Sequence, residues 1–86
     1  MIEVALPDHP GESAEAHALS GEQLRLVVSR AFAPGTPLRM IVQLDDGIEI
    51  AGKATGSKRM ADGRFDVPVR LVNLRRDARE RIAASV

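Results

Sequence analysis

The sequence contains no cysteine, no tryptophan and no tyrosine, and only two phenylalanines. The missing cysteine excludes disulfides, thiolate metal sites and a thiol nucleophile. The near-absence of aromatics removes the platforms on which single-stranded bases stack. A formal net charge of zero offers no overall attraction for a phosphate backbone. Binding to a nucleic-acid polymer is therefore not expected. No stretch approaches the ~20 apolar residues of a membrane span. Met1-Ile2-Glu3-Val4 has no basic leader of the signal-peptide kind. A soluble cytoplasmic protein is the expectation.

What is present fits one domain of 86 residues, a size that buries only about 60% of its unfolded surface. Charge is unevenly spread. Residues 1–24 hold Glu3, Asp8, Glu12, Glu15 and Glu22 and no Lys or Arg, a charge of −5. All 12 Lys and Arg follow, with seven acidic residues among them, giving +5. Such asymmetry suits a docking face, or self-association through opposite patches.

Hydrophobic alternation dominates the chain. Ile2 to Leu6 reads as a strand, broken by Pro7-Asp8-His9-Pro10-Gly11. Ser13 to His17 reads as a weak strand, and Ala18 to Gln23 as a loop of small and polar residues. Leu24, Leu26 and Val28 share one strand face, with Gln23, Arg25 and Val27 on the other. Ala33-Pro34-Gly35-Thr36 has the pattern of a type II turn. Leu38, Met40, Val42 and Leu44 alternate up to Asp45-Asp46-Gly47, a hairpin signal. Ile48, Ile50, Gly52 and Ala54 return, the small pair suiting a bend where a barrel closes. Phe65, Val67, Val69 and Leu71 form the last strand. Pro68 within it cannot donate to a ladder, so that strand is expected at an edge or paired on one side there. Asn73 is a candidate N-cap for a helix carrying Leu74, Ala78 and Ile82 at four-residue intervals. Arg76–Glu80 and Asp77–Arg81 are spaced as pairs along that helix.

These elements predict a mainly β domain spanning 1–86. Residues 1–12 are a strand or an arm, 13–73 the barrel strands and 74–84 a C-terminal helix. A small antiparallel six-stranded barrel, with the helix over one opening, buries these apolar faces best.

Four parts, in order, carry a family resemblance over residues 13–82. They are Leu19-Ser20 leading into Leu24-Arg25-Leu26, the Ala33–Thr36 turn, the Asp45–Gly47 hairpin, and Phe65 to Leu71 followed by a charged helix. Together they resemble the PilZ domain, a bacterial barrel that senses cyclic di-GMP through an RxxxR segment and a DxSxxG motif. Arg suits the first because its planar fork is bidentate to phosphate and also stacks. Here Ala18 stands at the Asp position, Ser20 keeps the Ser and Gln23 stands at the Gly position. No Arg or Lys precedes Arg25. Conventional cyclic di-GMP binding is accordingly not expected, and no cofactor is implied.

The resemblance implies a non-enzymatic regulatory or adaptor module acting through protein contacts, in motility, pilus or cyclic di-GMP-related signalling. The candidate partner surface comprises Ile41 and Val27, joined by Val72, with Arg75 and Arg79, whose RxxxR spacing falls on the predicted helix. One alternative is a cyclic di-GMP receptor with an atypical site in which Ser20, Arg25, Arg30 or the helix arginines serve. Another is a structural homo-oligomer, possible as a homodimer. Catalytic and metal residues are not assigned. His9, His17 and Asp8 match no compact metal spacing. Ser20 with His17 and Asp8 lacks a nucleophile elbow. Gly52 to Gly56 lacks the Gly-Lys-Ser/Thr ending of a phosphate loop.

Overall fold

The alternating segments become strands β1 (Ile2–Ala5), β2 (Ala14–Ser20), β3 (Gln23–Val28), β4 (Pro37–Val42), β5 (Ile48–Ala54), β6 (Lys58–Arg59) and β7 (Phe65–Val72). A single helix, α1 (Arg76–Ser85), follows. The computed structural model describes all residues, 1–86. Every strand pairing is antiparallel. The sheet runs β3-β2-β1-β4-β5-β7, and a further β3–β7 pairing closes these six strands into a barrel. The seventh strand, β6, is a two-residue addition beside the start of β7.

Period-two patterning decides which side chains fill the barrel. Leu24, Leu26, Val28, Leu38, Met40, Val42, Val67, Val69 and Leu71 form one continuous apolar interior with Val4, Ala14 and Ala16. No polar or charged residue is buried. The two openings are stoppered by side chains from outside the sheet. Ile82 of α1, fully buried, joins the core at the end bearing the β4–β5 turn. Phe32, from the β3–β4 connection, does so at the other.

Residues 1–12 are not a free arm. β1 pairs with β2 on one side and β4 on the other, and the ring would be open without it. The small-residue segment is not a loop either. β2 continues through Ser20, and only Gly21-Glu22 turns the chain. Gly21 has φ +61°, the left-handed value required at the first position of a tight hairpin turn. The register shifts between Ala16 and Ala18, a bulge at His17 opposite Arg25. That extra residue interrupts the simple alternation, which is why the strand was illegible as one.

β7 behaves as Pro68 requires. It pairs with β3 from Phe65 to Arg70, through Pro68, whereas β5 ends at Ala54 and β6 begins at Lys58. Pro68 faces this gap, where its carbonyl accepts bonds from the Thr55 N–H (2.9 Å) and hydroxyl (3.2 Å). β4 stops at Val42, short of Leu44, because the chain already turns there: the Leu44 N–H reaches back to the Val42 carbonyl at 2.8 Å.

Asn73 does not cap the helix. It adopts φ +52°, a left-handed conformation that Asn tolerates, and turns the chain out of β7. The N-cap position is Arg75, which makes no side-chain capping bond. The helix thus starts two residues later than expected. The Arg76–Glu80 pair forms at 3.4 Å. Asp77–Arg81 does not: Arg81 turns to Asp45 and ties α1 to the β4–β5 turn.

Candidate functional site

Side chains on the outward face of the barrel line two concavities that contain the residues singled out from sequence. The larger is an open groove of about 630 Å³ between the start of α1 and the outer face of β4, β5 and β7. Its floor is apolar: Ile41, Ala51, Val72 and Leu74. Register explains the assembly, since Ala51 lies opposite Val72 on one side and opposite Arg39 on the other. Val72 is 46% exposed, the most exposed large hydrophobic residue after Met1. Arg39, Arg75 and Arg81 stand along the groove with Glu49 and Asp77.

The charges around the groove are held. Arg39 donates twice to Asp8, at 2.7 and 3.0 Å, across the β1–β2 loop. That guanidinium holds the Asp8 carboxyl below the usual carboxylate range, and Asp8 in turn raises Arg39. Arg75 lies 3.4 Å from Asp77.

The smaller concavity, about 260 Å³, is lined by Ala18, Ser20, Gln23, Arg25, Asp66 and Pro68. The β2 bulge and the hairpin turn bring the Ala18, Ser20 and Gln23 positions of the degenerate motif together here with Arg25. The Arg25 Nε donates to Asp66 at 2.9 Å, and this bond raises the Arg25 pKa. Arg30 does not join them. It leaves the sheet after β3, and its guanidinium lies 5.1 Å from the centre of the Phe32 ring.

Two sequence expectations change. Val27 is no surface residue. It does lie on the outward side of β3, but between Glu15 and Asp66 in register, and it is only 4% exposed. Glu15 and Asp66 each bind an arginine, Arg64 at 3.5 Å and Arg25 at 2.9 Å, which carries long side chains over that part of the sheet. The expected apolar patch therefore shrinks to Ile41 and Val72, with Ala51, not singled out from sequence, and Leu74, expected on the helix stripe, completing it. Arg75 borders this groove. Arg79 stands exposed on α1 outside its lining. The signal for Ala51 was available only through strand register, and Leu74 joins it in the connection between β7 and α1.

The remaining candidates have structural partners. His9 packs edge-on against Phe32, ring centres 5.0 Å apart, and His17 lies 3.2 Å from Glu15. Asp8 is committed to Arg39. No three His, Asp or Glu side chains converge as metal ligands would. Gly52 and Gly56 belong to the end of β5 and its exit. No helix is long and apolar enough to cross a membrane. Comparison of the chain with protein-family models, curated proteins and solved structures finds no match.

Proposed function

We propose that this chain is a PilZ-like regulatory or adaptor module of the cytoplasm. It is non-enzymatic, acts through protein–protein contacts in bacterial motility, pilus or cyclic di-GMP-related signalling, and does not bind cyclic di-GMP conventionally. The groove carries this reading. It sets Val72, 46% exposed, beside Ile41, Ala51 and Leu74 with arginines alongside, an apolar floor with a charged border of the kind protein interfaces use. The state of the smaller hollow supports the second half of the proposal. A doubly charged dinucleotide is best held by paired, available guanidiniums. Here Arg25 is the only arginine in the lining and already serves Asp66.

The test compares affinity capture by the intact chain with capture by Val72→Asp and Arg75→Glu. A specific partner retained by the wild type and lost from Val72→Asp is the expected result. Calorimetric titration with cyclic di-GMP runs alongside. Micromolar binding abolished by Arg25→Ala would overturn the proposal in favour of an atypical receptor.

A further inference from the structure

The barrel sets two cross-strand like-charge pairs of opposite sign on opposite sides of the molecule. On the β5–β7 side, Lys53 lies directly across from Arg70. Both are exposed and neither forms an ion pair, whereas Arg25, Arg39, Arg64 and Arg81 each hold a carboxylate. On the β1–β2 side, Glu3 lies directly across from Glu15. Glu3 has no partner, and Glu15 is offset only by Arg64 at 3.5 Å, an arginine it shares with Asp62. Like charges facing each other across a strand pair are destabilising. The acidic pair borders a groove of about 570 Å³ that also includes Glu12, and no Lys or Arg lines it.

The ring order makes β1 and β7 diametric. Three steps through β4 and β5, or three through β2 and β3, separate them. One copy therefore shows its acidic pair where a second copy shows its basic pair. A formal net charge of zero leaves no overall repulsion between copies.

We infer that the chain associates with itself head to tail, the Lys53–Arg70 face of one copy docking on the Glu3–Glu15 face of the next. The contact is heterologous, since it joins two different surfaces, and it propagates in place of closing a two-fold dimer. Each junction relieves both repulsive pairs at once. The inference uses neither the apolar groove nor any outside partner, so it stands or falls separately from the functional proposal.

Light scattering and sedimentation test it on the intact chain. At about 10 mM salt, where screening extends over ~30 Å, the mean mass should rise steadily with protein concentration. At about 1 M salt, where it shrinks to ~3 Å, only the 9.3 kDa monomer should remain. Lys53→Glu/Arg70→Glu and Glu3→Lys/Glu15→Lys should each be monomeric at low salt. Mixed one to one, they should assemble again, since one variant then carries two acidic faces and the other two basic ones. Circular dichroism checks that each variant folds. If a reversal does not fold, Lys53→Gln/Arg70→Gln provides the same comparison, with association weakened about tenfold or more. A wild-type chain that stays monomeric at low salt up to millimolar concentration overturns the inference. So does association indifferent to salt or to these substitutions.

Discussion

Gly52 sits on β5 opposite Leu71 of β7, with no room for a side chain. A Cβ built there would stand 2.5 Å from the Arg70 carbonyl oxygen and 2.8 Å from the Val69 side chain. The obstacle is backbone, which cannot rotate away. Gly52→Ala should therefore destabilise the chain by about 1–3 kcal/mol, read as a lower denaturant midpoint. Ser57 performs a different local task. Its hydroxyl accepts the Phe32 N–H and donates to the Phe32 carbonyl, both at 2.7 Å, standing in for the strand neighbour that Phe32 lacks. Ser57→Ala strands both backbone groups beside a buried ring. A loss of about 1–3 kcal/mol is expected, with faster amide exchange at Phe32. Gly52 was legible in sequence as a small residue suiting a closure bend. Ser57 was not, because the residue it serves lies 25 positions earlier.

At the scale of elements, α1 is a stopper more than an independent helix. At ten residues and without a capping side chain it falls short of the length at which isolated helices hold in water. Its order comes from Ile82, fully buried in the barrel mouth, with Leu74, Ala78 and Val86 packed against the core and Arg81 bound to Asp45. Ile82→Ala should lower stability by about 2–5 kcal/mol in denaturant titration. Asp45→Asn, which tolerates the left-handed φ of +51° at that position, should instead leave the core intact and loosen α1 locally, seen as faster amide exchange in the helix alone. The four-residue spacing of Leu74, Ala78 and Ile82 announced the packed stripe. Where the helix begins was decided by Asn73, whose left-handed turn redirects the chain. β2 shows the same division: its alanines were ambiguous in sequence, and its extent and bulge follow from being paired on both sides.

For the whole molecule, the acidic N-terminal and basic C-terminal portions do not remain apart. Closure threads β1 between β2 and β4, and Asp8 meets Arg39 while Glu15 meets Arg64. Asp62 likewise accepts bonds from the backbone and side chain of Arg64, which hold its carboxyl below the ordinary range. For a carboxylate with a lowered folded pKa, the linked stability is present above the unfolded value, about 3.9 for aspartate, and is lost as pH falls below it. Thermal stability should accordingly drop on acidification below about pH 4. Asp8→Asn should flatten part of that slope while leaving the neutral-pH fold unchanged by circular dichroism.

The sequence by itself determined the mainly β class, the inward face of most strands and the presence of one terminal helix. These follow from period-two and four-residue patterning, which is local. It also located the turns at Pro34-Gly35 and Asp46-Gly47, each with a glycine at positive φ. Only the tertiary structure decided that β3 joins β7 to close the ring, that Val27 is covered while Val72 is open, and that Arg30 is parted from Arg25. It alone placed one like-charge pair opposite another of contrary sign. Those outcomes depend on register between strands far apart in the chain. Pairing geometry sets that register, and no stretch of sequence carries it alone.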